Sequence, residues 1–286
     1  MRPRATTQAD AEPPNVPLST STPRADLRVV ASWPHDTVAY TQGLLVYRGR
    51  LLESTGLETH SDVREVDRRS GEVRRRTPLA PSRFGEGIAV VGARVYQLTW
   101  LTGIAYVYDV ATLTRIDSVH YDGEGWGLTT DGARLFMSDG SSRLRIIDPA
   151  GFRTIRLLPV TEADQPVWML NELEYVRGEI WANIYRTDLI ARIDAHTGHI
   201  IGWLDVSTLL TPAERRSVEA RGGVANGIAF DSTRNTLLLT GKLWPRLFEV
   251  TVPHSPPTNR SAITSAATDL PNWSRRTKAT TRQPLR

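Results

Sequence analysis

A sequence unit that recurs five times between residues 27 and 252 restricts the folds available to this chain. Each copy contains a short apolar run, a turn signal near its middle and a second apolar run, a pattern that predicts a β-hairpin. A third strand-like segment follows each hairpin, and a fourth follows most of them. A four-stranded unit of roughly 40 to 45 residues is typical of a propeller blade. The five hairpins span residues 42–56, 86–100, 126–140, 171–185 and 226–242.

The ends of the repeat region predict how the ring of blades closes. The last unit stops after its third strand at Val252, whereas residues 27–33 form an extra strand before the first hairpin. If that extra strand completes the fifth blade, the two ends of the region pair and no strand edge is left open. We therefore predict an all-β, five-bladed β-propeller that its N-terminal strand closes, with a helical insertion at residues 211–221. An open β-sandwich would not require the five hairpins to open and close at equivalent positions of each repeat.

The two ends of the chain differ in composition from the repeat region. Residues 1–26 and 253–286 are rich in Ser, Thr and Pro, so we predict a disordered extension on either side of a folded domain at residues 27–252. The six basic residues and one acidic residue of the C-terminal extension give it a net charge of +5, which exceeds the formal charge of +4 for the whole chain. Because the predicted propeller itself is not basic, we expect no nucleic-acid partner.

The sequence also excludes several kinds of protein and site. It contains no run of about 18 apolar residues, so no membrane span is predicted. It contains no cysteine, which removes disulfides and cysteine-based metal sites. Its first 26 residues lack the apolar segment of a secretory signal, and no signal peptide is predicted from them.

The hairpin geometry predicts a cluster of side chains at one end of the ring. In an antiparallel hairpin, the residue that opens the first strand lies beside the residue that closes the second. The loops of all five blades converge near the axis at that end, where propellers place their cavities. The opening residues are Gln42, Glu86, Trp126, Asn171 and Asn226, and the closing residues are Gly56, Trp100, Gly140, Tyr185 and Lys242.

Glu86 and Lys242 are the charged members of this cluster. Glu86 lies between Gly85 and Gly87, a setting that favours close backbone packing and little solvent. A buried carboxylate is costly unless it is paired or protonated, so a functional role is favoured for Glu86. Lys242 is one of only two lysines in the chain, and it could act in the site or serve as a salt-bridge partner of Glu86.

The uncharged members of the cluster also have structural alternatives. The amides of Gln42, Asn171 and Asn226 could simply satisfy backbone groups. Trp100 and Trp126 could pack in the core, although a tryptophan at the mouth of a ring favours a binding wall.

Several segments of the chain resemble the plant and bacterial type of glutamine cyclotransferases, also called glutaminyl-peptide cyclotransferases. Matching segments occur in every blade and include PHDTVAYTQGL (34–44), FGEGI (84–88), GWGLTTDG (125–132), LNELE (170–174) and TGKLWPRLFEV (240–250). The resemblance implies a five-bladed propeller enzyme that converts the N-terminal glutamine of a peptide into pyroglutamate and releases ammonia. It further implies that no metal or other cofactor is needed.

The resemblance also assigns roles to individual residues. It places the catalytic acid/base at Glu86, and it implies peptides or proteins with an N-terminal glutamine as partners, a monomer, and a location outside the cytoplasm. Tyr40 and Tyr185 stand where Phe and Trp are more usual in the family, and the smaller ring of Tyr185 shrinks the wall that faces the peptide. The substrate-binding positions that match are Tyr40, Gln42, Trp100, Trp126, Asn171, Tyr185 and Lys242.

The chemistry of cyclisation is compatible with these groups. The attacking α-amine is tethered to the γ-carboxamide carbon, so much of the entropic advantage is already present in the substrate. The departing nitrogen leaves well only when it is protonated, and Glu86 could take a proton from the amine and deliver it there. Gln42, Asn171 and Lys242 are alternative donors to the oxyanion.

Two other functions fit the predicted ring. In a calcium-dependent lactonase-like hydrolase, Glu86, Asn171 and Asn226 would hold the metal ion. In a non-catalytic propeller, the same face would bind a peptide, and loss of Glu86 would leave the affinity for that peptide unchanged.

Overall fold

The chain folds into five antiparallel β-sheets arranged as the blades of a propeller. The computed structural model describes residue 19, residues 21–25 and residues 27–251. Most of the two extensions predicted to be disordered, and Val252 at the predicted end of the propeller, lie outside the described residues. Among the described residues, no helix has the length and apolar character needed to span a membrane.

The strands follow the order of the repeats. Strands β1 (Arg24–Ala25) and β2 (Val29–Pro34) precede the first blade, which contains β3 (Thr41–Tyr47), β4 (Arg50–Thr55), β5 (Asp62–Val66) and β6 (Val73–Pro78). The second blade contains β7 (Gly85–Val91), β8 (Arg94–Thr99), β9 (Ile104–Asp109) and β10 (Arg115–His120). The third blade contains β11 (Leu128–Thr130), β12 (Leu135–Met137), β13 (Arg143–Asp148) and β14 (Arg153–Pro159).

The fourth and fifth blades carry the insertions. A small hairpin, β15 (Thr161–Glu162) and β16 (Gln165–Pro166), leads into the fourth blade. That blade contains β17 (Leu170–Val176), β18 (Glu179–Ile184), β19 (Leu189–Asp194) and β20 (Ile200–Asp205). Helix α1 (Pro212–Glu219) separates it from the fifth blade, which contains β21 (Ala225–Asp231), β22 (Thr236–Gly241) and β23 (Arg246–Thr251).

The turn signals of the sequence form the tight turns of the hairpins. In the first blade, Arg48 and Gly49 both have positive φ angles, 50° and 80°. Arg177 and Gly178 repeat this pattern in the fourth blade, with φ angles of 52° and 95°. Two central residues with positive φ match the right-handed twist of the flanking strands.

The ring closes between the N-terminal strand and the last blade. Strand β2 pairs antiparallel with β23 and forms the outermost strand of the fifth blade, with Trp33 opposite Leu247. The innermost strands contact one another in chain order, and β21 contacts β3. This is the closure that the repeat pattern predicts, although β2 begins at Val29 rather than at residue 27.

Two features lie beyond the predicted unit. Arg24 and Ala25, inside the predicted N-terminal extension, form β1 and pair parallel with Trp203 and Leu204 of β20. The helical insertion is α1, which begins after a capping box in which Thr211 and Glu214 bind each other's backbone N–H groups.

The core consists of apolar layers between neighbouring blades. Between the fourth and fifth blades, for example, Trp181 and Leu204 pack with Leu237 and Phe248. Closer to the axis the innermost strands approach one another so tightly that a side chain at Gly127 would overlap the carbonyl group of Asn171. Such close approach is available only to glycine, and it brings the ends of the innermost strands together at one site.

Candidate active site

Irregularities in the inner hairpins position four of the five opening residues. The register between the two innermost strands shifts at Gln42, Glu86, Asn171 and Asn226, each just inside its strand. A β-bulge of this kind re-aims the local side chain and is common beside active sites. All four side chains are completely buried. The fifth opener, Trp126, precedes β11 and lies outside the ladder.

Hydrogen bonds connect three of these side chains across the fifth, first and second blades. The Asn226 amide donates to the Thr41 carbonyl at 2.9 Å and to Gln42 Oε1 at 3.4 Å. The Gln42 amide in turn donates to Glu86 Oε1 at 3.4 Å. A chain of hydrogen bonds therefore runs from Asn226 through Gln42 to the carboxyl group of Glu86.

The Glu86 carboxyl group is buried and incompletely bonded. Its Oε2 atom has no hydrogen-bond partner among the described residues. Burial raises the pKa of Glu86 well above its usual value; the Lys242 ammonium opposes this rise and the Glu124 carboxylate adds to it. Glu172, another buried carboxyl group of an inner strand, instead accepts the backbone N–H groups of Leu44 and Ile228.

Lys242 contacts aromatic rings rather than a carboxylate. Its Nζ atom lies 4.8 Å from the ring centroid of Tyr40 and 4.9 Å from that of Tyr185, which is a cation–π distance. Nζ has no hydrogen-bond partner among the described residues, so the direct salt bridge with Glu86 that the sequence left open does not form. Burial lowers the pKa of Lys242 to about 8, with Glu86 acting in the opposite direction.

Five aromatic side chains surround the site, and we call them the aromatic collar. Tyr40 packs edge-on against Phe84 at 6.2 Å, and Phe84 against Trp100 at 5.7 Å. Trp126 packs edge-on against Tyr185 at 5.6 Å. The collar thus has two halves, one with Tyr40, Phe84 and Trp100 and one with Trp126 and Tyr185. A hydrogen bond between the Tyr185 and Tyr40 side chains joins these halves on one side.

Glu124 joins the two halves on the other side. Its Oε2 atom accepts the indole N–H of Trp100 at 2.8 Å and that of Trp126 at 2.9 Å. One carboxylate oxygen thereby fixes the orientation of both tryptophans, and the collar is continuous. Burial and the negative charge of Glu86 both raise the pKa of the Tyr40 hydroxyl, with burial the larger cause.

The two glycines among the closing residues provide room for this collar. A side chain at Gly56 would overlap the ring of Phe84, and one at Gly140 would overlap the indole of Trp126. Gly140 also has a φ angle of +78°, a conformation that L side chains rarely adopt. The space that the closing glycines leave is therefore filled by aromatic rings of the protein.

Asn171 and Lys242 supply hydrogen-bond donors without partners. Neither Nδ2 nor Oδ1 of Asn171 has a hydrogen-bond partner among the described residues, and the same holds for Oδ1 of Asn226. Unsatisfied buried polar atoms are rare and costly in folded proteins. Together with the unpartnered Oε2 of Glu86, these atoms indicate where a polar ligand could bind.

The structure brings all of the predicted site residues to this end of the ring. Tyr40, Trp100, Trp126 and Tyr185 belong to the collar, and Gln42, Glu86, Asn171 and Lys242 are completely buried at the ends of the two inner strands of their blades. Sequence reasoning missed two participants, Phe84 and Glu124, because neither occupies an opening or a closing position. Their signal was local: each lies two residues before an opener, in FGE and EGW.

Among the residues that open the inner hairpins, Glu86 is the carboxyl group and Gln42, Asn171 and Asn226 are neutral amides. No group of three or more His, Asp or Glu residues that could bind a metal ion occurs in the part of the chain that the structure describes. The Lys242 ammonium is close enough to influence the pKa of Glu86. This arrangement suits proton transfer by a single carboxyl group.

Comparisons with known proteins agree on one family. Residues 4–252 match the family model described as glutamine cyclotransferase. The chain is 42% identical over 231 residues to a glutaminyl-peptide cyclotransferase of Arabidopsis thaliana, a match that covers 79% of this chain and 71% of that protein. The crystal structure of the Myxococcus xanthus glutaminyl cyclase superposes with a TM-score of 0.74 at 35% identity, covering 82% of this chain and 99% of that one.

Proposed function

Because the chain belongs to the glutamine cyclotransferase family, we propose that it converts the N-terminal glutamine of peptides and proteins into pyroglutamate and ammonia, with Glu86 as the general acid/base. The observation that carries the assignment of Glu86 is its buried carboxyl group, which has one oxygen without a hydrogen-bond partner among the described residues and lies near enough to the Lys242 ammonium for that charge to act on its pKa.

The substrate enters with its N-terminal residue inside the collar. The glutamine side chain folds back so that its γ-carbonyl carbon lies beside its own α-amine. The rings of the collar cover the folded side chain and exclude water, whose attack would give glutamate instead of pyroglutamate. Tyr40, Trp100, Trp126 and Tyr185 thus act in substrate binding.

Glu86 moves one proton in the reaction. The α-amine nitrogen attacks the γ-carbonyl carbon, and the carboxylate of Glu86 accepts a proton from that nitrogen through its free Oε2 atom. The same proton passes to the departing nitrogen as the carbon–nitrogen bond breaks, so ammonia leaves and the carboxylate is regenerated. A raised pKa makes Glu86 a stronger base than an exposed glutamate and suits both transfers.

Asn171 and Lys242 are the donors best placed to stabilise the oxyanion. Gln42 is engaged with Glu86 and Asn226, whereas the Asn171 amide and the Lys242 ammonium have no hydrogen-bond partner among the described residues. Donors that are already fixed before the reaction need no reorganisation when charge develops on the carbonyl oxygen. We assign Gln42 to the orientation of Glu86.

Mass spectrometry of a synthetic peptide tests the function. A peptide that begins with glutamine is expected to lose one ammonia when it is incubated with the purified protein, and its N-terminally acetylated form is expected to stay unchanged because its nitrogen is no longer nucleophilic. Loss of ammonia from both peptides, or from neither with the fold intact, would contradict the proposal.

A further inference from the structure

The exposed large apolar side chains of the described residues fall into two groups. One group lies on the outermost strands β2, β6, β10 and β14, where one face of a blade must meet solvent. Its members are Val29, Val30, Val73, Ile116, Ile155 and Leu157. The other group lies in loops beside the collar, and we call it the apolar rim. Its members are Val38, Leu57, Leu101 and Trp168.

Each member of the apolar rim is tied to the collar by the chain. Val38 lies two residues before Tyr40, and Leu101 directly follows Trp100. Leu57 directly follows Gly56, against which the ring of Phe84 packs. Contiguous exposed apolar patches mark interaction surfaces. These three rim residues each lie within two positions along the chain of a collar residue or of the glycine that packs against one.

Trp168 is held in its exposed position by the backbone of Met169. Met169 has a φ angle of +64°, which is unfavourable for a residue other than glycine. Its N–H donates to the Gly140 carbonyl at 2.8 Å, and its carbonyl accepts the Tyr185 N–H at 2.9 Å. These bonds fix the backbone next to Trp168 against Gly140 and Tyr185, and 56% of the Trp168 surface is exposed.

We propose that the apolar rim binds the peptide residues that follow the N-terminal glutamine, with Trp168 as the main contact, and that the enzyme therefore favours large apolar side chains at positions two and three of its substrate. This proposal rests on the proposed function. If the glutamine fills the collar, its α-carbonyl group leads the rest of the peptide out through the mouth. An extended chain advances about 3.3 Å per residue, so the second and third residues cross the rim.

Tryptophan is well suited to this role. It offers a large rigid contact surface and dominates many peptide and protein interfaces. Burying a leucine side chain against it is expected to increase kcat/KM by about tenfold, because about half of that side chain would leave water.

Three peptides and two variants test the proposal. The peptides are Gln-Gly-Gly-amide, Gln-Leu-Gly-amide and Gln-Gly-Leu-amide, and ammonia release is measured for each. We expect the unaltered enzyme to prefer at least one leucine peptide by about tenfold. Trp168→Ala is expected to abolish that preference, because the loss of kcat/KM falls mainly on the leucine peptides.

Ile155→Ala provides the matched control, because Ile155 is 57% exposed on the outermost strand β14. It should leave all three rates unchanged. Equal rates for all peptides with the unaltered enzyme, or an equal loss for all peptides in Trp168→Ala, would overturn the rim proposal while the proposed function stands. If no peptide releases ammonia, the proposed function fails and the rim proposal fails with it.

Discussion

The side-chain amide of Gln42 donates a 3.4 Å hydrogen bond to Oε1 of Glu86, while Oε2 of the same carboxyl group has no hydrogen-bond partner in the part of the chain that the structure describes. The two oxygens of Glu86 are therefore not equivalent: one is oriented by the protein and the other is available to a ligand. A carboxyl group that must accept a proton and return it needs such an arrangement, because a fully bonded oxygen would have to break an existing bond first.

Replacing Glu86 by glutamine is expected to preserve the fold and nearly abolish turnover. The amide has the same shape but cannot accept and return a proton, so kcat should fall by about 10² to 10⁴-fold. Ammonia release gives the rate, and thermal unfolding followed by circular dichroism reports the fold. Glu58→Gln, at an exposed carboxyl group in a loop of the same face, is the matched control. Near-normal turnover of Glu86→Gln would exclude Glu86 as the acid/base.

The sequence predicts the ring and most of the site because both follow from one repeated hairpin. Opening and closing positions are fixed by antiparallel pairing, so Glu86 and Lys242 could be placed together without coordinates. The relation between them could not be predicted, since pairing says nothing about side-chain direction. In the structure the Lys242 ammonium faces the Tyr40 and Tyr185 rings.

Glu124 could not be predicted for a different reason. It lies in the loop before the third hairpin, and its contacts with Trp100 and Trp126 join two blades. Such contacts depend on how neighbouring blades pack, which a repeat pattern does not specify. The short strand β1 escaped prediction similarly, because it pairs with β20 from a segment whose composition resembles disorder.

Replacing Glu124 by glutamine is expected to shift the pH dependence of the reaction. The glutamine carbonyl can still accept both indole N–H groups, so the collar should keep its shape. The negative charge of Glu124 contributes to the raised pKa of Glu86, and its removal should lower that pKa. Because the basic form of Glu86 starts the reaction, the acidic limb of the kcat/KM profile should move to lower pH.

The pH profile of Glu124→Gln should be compared with that of Glu124→Ala. Alanine cannot accept the indole N–H groups, so we expect this variant to increase KM as well, by about tenfold. A shift of the Glu124→Gln profile to higher pH would contradict the electrostatic effect on Glu86. An unshifted profile with a changed KM would show that Glu124 acts only through the tryptophans.

Replacing Lys242 by methionine is expected to separate stability from activity. The ammonium is completely buried and has no hydrogen-bond partner among the described residues, so its desolvation opposes folding. An apolar side chain of similar length should stabilise the protein by about 1–2 kcal/mol, seen as a higher Tm. If Lys242 stabilises the oxyanion, kcat should fall by about 10² to 10³-fold. A lower Tm together with unchanged kcat would contradict both arguments.

Chelation is expected to leave the activity unchanged. The proposed proton transfers use Glu86, and the stabilisation of charge uses Asn171 and Lys242, so no step requires a metal ion. The measurement is ammonia release from a glutamine peptide before and after dialysis against excess EDTA. A loss of activity that calcium restores would support the calcium-dependent alternative, and restoration by zinc would contradict the metal-independent mechanism proposed for Glu86.

The stability of the ring closure is expected to depend on pH through His35. Its Nδ1 atom lies 2.9 Å from the Trp244 carbonyl oxygen and its Nε2 atom lies 3.1 Å from Glu53 Oε1. The imidazole of His35 therefore links the fifth and first blades. Burial lowers the pKa of His35, but the Glu53 carboxylate, the Trp244 carbonyl and Asp36 together raise it above its usual value. The opposing Glu53 carboxyl has a lowered pKa, because His35 and Arg64 outweigh its burial.

These shifts give the sign of the pH dependence. A group whose pKa is raised by folding stabilises the protein fully below its unfolded value, about 6.5 for histidine, and this contribution is lost as the pH rises through the folded value. His35→Gln should therefore reduce the free energy of unfolding by about 1–3 kcal/mol at pH 6 and by less at pH 9. Urea unfolding at the two pH values measures the difference. His196→Gln, at an exposed histidine, is the control and should change neither value. An equal or larger loss for His35→Gln at pH 9 would show that packing, rather than the charged histidine, stabilises the closure of the propeller.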